Sequence, residues 1–331
     1  MSAVKFHITV YSHGFHVRIP FQNHRVYAGH FCKELTDFQW EWDSKLFKKV
    51  LKPTRTFAIS NPSRDTFGFL REQLDEFLLY LKRYGFTDSD IEIRSVKSKP
   101  GEAIEFSLPG ISPRGETQVK AIDFVLEHDH IAVLPLPTGQ GKTLTTLQAL
   151  VRLKERTAFV MNAKHIKTWV DTLVNKTDCK KKDILVIQGD AHVRSLVNIA
   201  IAGDLKAKFI IFSSTTLNNF LKTFIYGDDG EPYDFTPEQF YELIGVGIEV
   251  NDECHEVIHQ VVRRHILLPV KRRVALSATL TPPSPLIRKI YESAFPLKHR
   301  FKEFKNNNHV VVHPYLFNLT DRRQAVRFMG S

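Results

Sequence analysis

Apolar residues alternate with polar ones in KFHITVY (5–11) and again in FHVRIP (15–20), with Ser12, His13 and Gly14 between the two runs. Strand side chains point to opposite faces in turn, so this rhythm predicts a β-hairpin. TRTFAIS (54–60) reads as another strand. Leu70, Leu74, Phe77, Leu78 and Leu81 then recur at helical spacing, with Arg71, Glu72, Asp75, Glu76 and Lys82 on the other face and Gly85 as the stop. DIEIRSV (90–96) predicts one more strand before a polar stretch from Lys97 to Glu102, read as a linker. Residues 1–100 are therefore expected to form a small α+β module of their own.

From about residue 113 the rhythm changes. A helical pattern over 114–127 precedes the apolar run IAVLPL (131–136), and a second helix is predicted from Lys142 to about Lys154. The apolar blocks TAFVM (157–161), DILVIQG (183–189), KFIIFS (208–213), VGIEVND (246–252) and RVALSA (273–278) follow, most of them separated by helical patterns. Continuous apolar strands alternating with helices predict a parallel sheet covered on both faces. Ligands of such sheets bind at the carboxyl ends of the strands. The segment from Gly227 to Glu238 reads as an acidic surface loop.

Composition changes this picture in three ways. At 331 residues and 43% hydrophobic, the chain can bury the cores of two domains, and no apolar run approaches the roughly 20 residues of a membrane span. The start, MSAVKFHITV, has no secretory pattern, and Cys32, Cys179 and Cys254 have neither disulfide nor zinc spacing, so a cytoplasmic setting is expected. The net charge of +10 is uneven: 16 Lys and Arg against 11 Asp and Glu in 1–100, 16 against 22 in 101–256, and 14 against 3 in 257–331. Clustered positive charge at both ends favours a polyanion through counterion release.

Two short runs at strand ends carry chemistry. PTGQGKT (137–143) places Pro137, Thr138, Gly139, Gln140 and Gly141 ahead of Lys142 and Thr143. A glycine-rich turn opening a helix offers backbone N–H groups and a positive dipole end to phosphates. Lys142 is suited to the β- and γ-phosphates, and the Thr143 hydroxyl to Mg²⁺. About a hundred residues on, NDECH (251–255) supplies Asp252 to hold the hydrated metal and Glu253 to activate water. ATP with Mg²⁺ is the expected ligand, bound by both runs together. Cys254 reads as a filler of this run and His255 as a hydrogen-bonding link, not as nucleophile or zinc ligand.

The PTGxGKT core, with Leu136 where the general pattern has its first glycine, resembles superfamily 2 helicases and translocases over residues 113–305. Further stretches follow in that family's order. RGETQ, with Arg114 and Gln118, is similar to the element that reads adenine through a glutamine amide. Asn162 and Lys164 in NAKHIKTW, and Ser213, Ser214 and Thr215 in FSSTTL, occupy the places of strand-contact motifs; loop capping is the alternative for each. Ser277 and Thr279 in SATLTP resemble the motif that couples nucleotide state to movement, through the NDECH run.

The resemblance implies an α/β fold. A RecA-like P-loop NTPase sheet with helices on both faces over 101–305 follows a small α+β N-terminal domain over 1–100, and 306–331 form a linker or the start of a missing second lobe. Within the superfamily the arrangement most resembles phage helicases of the UvsW type. That implies an ATP-dependent, DNA-stimulated motor acting on branched or duplex DNA, monomeric, in the host cytoplasm if viral. Tyr27, Trp40 and Trp42 are candidates for stacking on bases, with core packing as the alternative. The translocating subunit of a restriction system and a DNA-binding fragment without turnover remain open. No QxxGRxxR stretch is present, Arg322, Arg323 and Arg327 match no finger motif, and Asn308 to Leu319 read as a strand crossing toward a second lobe. A truncated chain with slow hydrolysis is therefore expected.

Overall fold

The computed structural model describes residues 4–43, 47–61, 65–137, 139–226, 233–278, 280, 282 and 284–302. Thr138, Thr279, Asn308 to Leu319, Arg322, Arg323 and Arg327 lie outside the described residues.

The front of the chain builds a mixed sheet. Strands β1 (Phe6–Val10) and β2 (Gly14–Arg18) form the expected hairpin, closed where Tyr11 N–H donates to Gly14 O. Helix α1 (Arg25–Glu34) follows, then β3 (Thr36–Asp43) and β4 (Lys48–Thr56), which pair only with each other. Strands β5 (Ile59–Asn61) and β6 (Thr66–Leu70), helix α2 (Leu74–Arg83) and β7 (Ile91–Ser95) complete the sheet in the order β5-β6-β2-β1-β7. The β1–β7 pair is parallel and the others antiparallel.

Two expectations need correction here. TRTFAIS is not one strand: Phe57 turns into the core between β4 and β5, its N–H donating to Leu35 O. Leu70 ends a strand, and the helix begins at Leu74.

The second sheet has six strands, all parallel, in the order β10-β11-β9-β12-β13-β8. In chain order its elements are α3 (Glu116–Glu127), β8 (Ile131–Leu134), α4 (Lys142–Leu153), β9 (Thr157–Met161), α5 (Ala163–Lys176), β10 (Ile184–Ile187), α6 (Asp190–Ile201), β11 (Phe209–Ser213), α7 (Ser214–Tyr226), α8 (Pro237–Leu243), β12 (Ile248–Asn251), α9 (Ile258–Leu267), β13 (Arg272–Leu276) and α10 (Pro285–Ala294). The two-residue period sorts the strands' side chains. Ala132, Leu134, Phe159, Ile211 and Val250 pack under α3, α4 and α5, whereas Ile131, Val133, Val160 and Phe212 pack under α6 to α10. This is a RecA-like α/β sheet covered on both faces.

The front sheet seats directly on α7 and α9. His16 Nε2 donates to Ile266 O at 2.9 Å and Asn61 Nδ2 to Phe224 O at 3.1 Å. A Cβ at Gly14 would stand 2.7 Å from Ile266 Cα and 2.9 Å from His265 O, so only glycine allows this approach. One buried apolar cluster runs from Phe6 and Phe77 through Ile266 to Phe212. The stretch 97–102 is strapped to the second sheet: Gly101 N–H donates to Glu155 and Glu102 N–H to Gly245 O.

Candidate active site

The glycine-rich turn leaves β8 and opens α4. Gly139 and Gly141 take left-handed φ values of +83° and +80°, where a side chain would be strained, and Lys142 is the first helical residue. Thr143 follows it, half-buried, on the same first turn. Pro137 and Gly139 are exposed and Gln140 half-buried.

Gln118 on α3 braces this turn. Its Oε1 accepts from Arg114 N–H at 2.8 Å and its Nε2 donates to Gln140 O at 3.1 Å. A primary amide has two donors and two acceptor lone pairs, so one of each remains for a ligand edge.

The acidic run leaves β12, one strand removed from β8, at the same end of the sheet. Asp252 N–H donates to Val160 O and Cys254 N–H to Leu276 O, which pins the turn to the ends of β9 and β13. Glu253 between them has φ +47°, an unusual conformation for a residue with a Cβ. This geometry aims its side chain at the turn before α4, where Lys142 Nζ lies 2.7 Å from Glu253 Oε1. The two runs thus meet.

Asp252 Oδ2 accepts from Trp169 Nε1 at 2.7 Å. Burial pushes the Asp252 carboxyl above the usual range; the Trp169 bond and Lys142 pull it down, and Glu253 pushes it up. Glu253 Oε2 makes no hydrogen bond. His255 Nδ1 lies 3.4 Å from it and 2.9 Å from Ser277 Oγ. Two carboxylates against one lysine, one with an unbonded oxygen and one whose charge is disfavoured by burial, form a donor set suited to a divalent cation. Among the described residues no group of three or more His, Cys, Asp and Glu is placed to hold a metal unaided.

His255 and Ser277 link the acidic turn to the stretch after β13, and Tyr291 of α10 donates its hydroxyl to His255 O at 3.2 Å. Cys254 is buried, and burial followed by the Glu253 and Asp252 charges pushes its thiol far up.

The residues read as strand contacts divide. Asn162 caps α5, its Oδ1 accepting from Lys164 N–H, and Lys164 Nζ donates to Glu256 at 2.8 Å. Ser213 and Ser214 are buried, and Ser214 Oγ lies 2.7 Å from Gln260 Oε1. Thr215 alone of the three faces solvent. Of the aromatic candidates, Tyr27 packs edge-on against Phe86, whereas Trp40 is exposed; the side chain of Trp42 lies outside the described residues.

The sequence reading overlooked a charged cluster behind the site. Glu249 of β12 is fully buried and accepts from Tyr241 Oη at 2.7 Å and Asn251 Nδ2 at 2.6 Å. Arg264 of α9 and Arg273 of β13 approach the same carboxylate at 3.5 and 3.4 Å. Burial alone would raise the Glu249 carboxyl, but the two arginines, Tyr241 and Asn251 outweigh it and hold it low. The signal was present: an acid inside an apolar strand requires a buried cation.

A sequence-family profile described as "ResIII: Type III restriction enzyme, res subunit" matches residues 111–283, over half of the chain. Comparison with curated protein sequences gives no match. The chain is similar to the solved Hef helicase domain of Pyrococcus furiosus at 15% identity and TM-score 0.39, over 54% of this chain and 35% of that one. It is similar to the UvsW helicase of bacteriophage T4 at 13% identity and TM-score 0.44, over 87% and 97% of the two chains. A hypothetical ATP-dependent RNA helicase from Sulfolobus tokodaii matches at 14% identity and TM-score 0.40, over 58% and 53%. The chain thus spans about a third of the Hef chain it matches.

Proposed function

Because this chain belongs to the family of type III restriction enzyme res subunits, we propose that it is a superfamily 2 motor that hydrolyses ATP to remodel branched or duplex DNA. The observation that carries the reading is the 2.7 Å approach of Lys142 Nζ to Glu253 Oε1, which joins the phosphate-binding turn and the acidic run in one site. Both lie at the carboxyl ends of parallel strands, where such sheets bind nucleotides.

Each residue then has a task. The N–H groups of the glycine turn and the α4 dipole receive the phosphates. Lys142 exchanges Glu253 for the β- and γ-phosphate oxygens. Thr143 and Asp252 would hold Mg²⁺, which when bound neutralises phosphate charge. Trp169 keeps Asp252 oriented. Freed from Lys142, Glu253 accepts a proton from the water that attacks the γ-phosphorus, as the bond to the β-phosphate oxygen breaks and ADP leaves with its electron pair. Gln118, already bonded to the turn through Gln140, carries adenine occupancy to the phosphates. His255 and Ser277 carry the change at Glu253 toward a second RecA-like lobe, which this reading requires to bring arginines to the γ-phosphate.

The test is steady-state ATP hydrolysis with and without DNA. Stimulation by DNA, with a loss of about 10²–10⁴-fold in Glu253→Gln and a comparable loss in Lys142→Ala, is the expected result. Hydrolysis indifferent to DNA would count against a DNA motor. The family description favours a second reading, the translocating subunit of a restriction system, which predicts ATP-dependent DNA cleavage once partner subunits are supplied. A UvsW-type motor instead converts fork and junction substrates without cutting them.

A further inference from the structure

Four large apolar side chains stand exposed on one small part of the surface: Phe38 at 39%, Trp40 at 66%, Phe47 at 81% and Leu51 at 50%. All belong to the ribbon of β3 and β4 or the turn residue before β4. Trp40 stands opposite Leu51 and Phe38 opposite Pro53, so the exposed apolar residues of the strands share one face. The ribbon joins neither of the larger sheets. A two-stranded ribbon has marginal stability in water by itself, and an exposed aromatic face on one calls for an occupant.

Charge selects that occupant. Of the β4 cations, Lys49 lies on the aromatic face; Lys48 and Lys52 lie on the other, Lys48 at the register position opposite Asp43, and Arg55 stands opposite Asp37. At the ribbon's root the positive charge continues onto the motor. Burial, then Arg55, Arg263, Lys222 and Arg264, hold the α9 imidazole of His259 below its usual range, which places Arg55 among the cations of α7 and α9. A lysine set among a row of aromatic and aliphatic side chains, on a face whose register positions hold no carboxylate, matches a phosphodiester backbone with its bases turned inward. Stacked and paired bases of a duplex do not present their faces, so the complementary form is unpaired.

We propose that the β3–β4 ribbon is a stacking site for unpaired bases of single-stranded DNA, with Trp40 as its centre and Lys49 beside it for the backbone. The proposal rests on the DNA-motor reading above and adds which strand form the front of the chain recognises.

Anisotropy titrations of the full chain with a labelled oligothymidylate, and with a duplex of equal length, test it. Trp40→Ala is expected to weaken oligothymidylate binding about tenfold while Trp40→Phe retains most of it, since base–aromatic stacking tolerates any ring. Duplex affinity should change less than about twofold, and Lys49→Ala should lower the salt slope by about one unit. Thermal melts of these surface variants should match wild type. Undiminished oligothymidylate binding by Trp40→Ala, or an equal loss on duplex, overturns the stacking site and leaves the motor reading standing. Wild-type protein that binds neither oligonucleotide overturns both.

Discussion

At the scale of single residues, the nucleotide runs were legible because their chemistry is local. A glycine turn with Lys142 and Thr143, and an acidic pair at a strand end, stand out from spacing alone, and the structure brings Lys142 to 2.7 Å from Glu253. The partner of Asp252 was not legible. Trp169 sits in a stretch read for DNA contacts, yet its indole N–H is turned inward to Oδ2 of Asp252. That bond lowers the carboxyl against the upward push of burial. Trp169→Phe removes the donor that orients Asp252. Hydrolysis is expected to need more Mg²⁺ in this variant; an unchanged Mg²⁺ dependence would deny Trp169 this part. Ser213 and Ser214 show the reverse case, in which small polar residues past a strand end serve the interior. Alanine at Thr215 should therefore weaken DNA binding more selectively than alanine at Ser214, whose loss strands Gln260 and loosens the fold.

Among the elements, strands of the parallel sheet were easy to read because burial on both faces makes them unbroken apolar blocks. The β3–β4 ribbon escaped notice although Phe38, Trp40 and Trp42 alternate with Gln39, Glu41 and Asp43, and its apolar face lies exposed instead of against a core. Helix α1 also escaped, although its buried Ala28, Phe31 and Cys32 fall at helical spacing, because one small alanine and two larger residues make a short apolar stripe. The cluster on β12, α9 and β13 yields a prediction at this scale. Glu249→Gln leaves Arg264 and Arg273 as buried cations without a counter-charge, at a cost of about 3–5 kcal/mol in stability. Urea unfolding measures it; a loss near zero would mean that the arginines are satisfied by carbonyls alone. The low carboxyl pKa adds a pH dependence. Stability supplied by ionised Glu249 is present above the unfolded carboxyl value of 4.5 and is lost as pH falls through the lower folded value.

Across the whole molecule, the contact between the two sheets is the feature that pattern reading missed, because docking depends on residues that look like turns. His13 and His265 face each other across it at a ring distance of 5.5 Å, near Arg273, and His13 Nε2 donates to His130 O. Burial, with Arg273 next, holds both imidazoles well below 6.5; the bond to His130 O pulls His13 back up in part, Arg71 lowers His13 further, and Arg264 lowers His265. The unfolded chain therefore binds protons that the folded one refuses. Stability should be level above pH 6.5 and fall as pH drops below it. Denaturant midpoints from pH 8 to 5 read this out, and His13→Gln, which keeps a donor and removes a titration, should flatten the slope. The stretch 97–102 had the composition of a loose tether, and its backbone bonds to Glu155 and Gly245 were invisible to composition.

The glycine that lets β2 rest on the backbone of α9 makes the join a weld. Cutting away the first hundred residues would bare Ile266 and half of a shared interior, so a shortened chain would report a wounded engine. Whether the front sheet grips DNA has to be learned by point changes in an intact molecule.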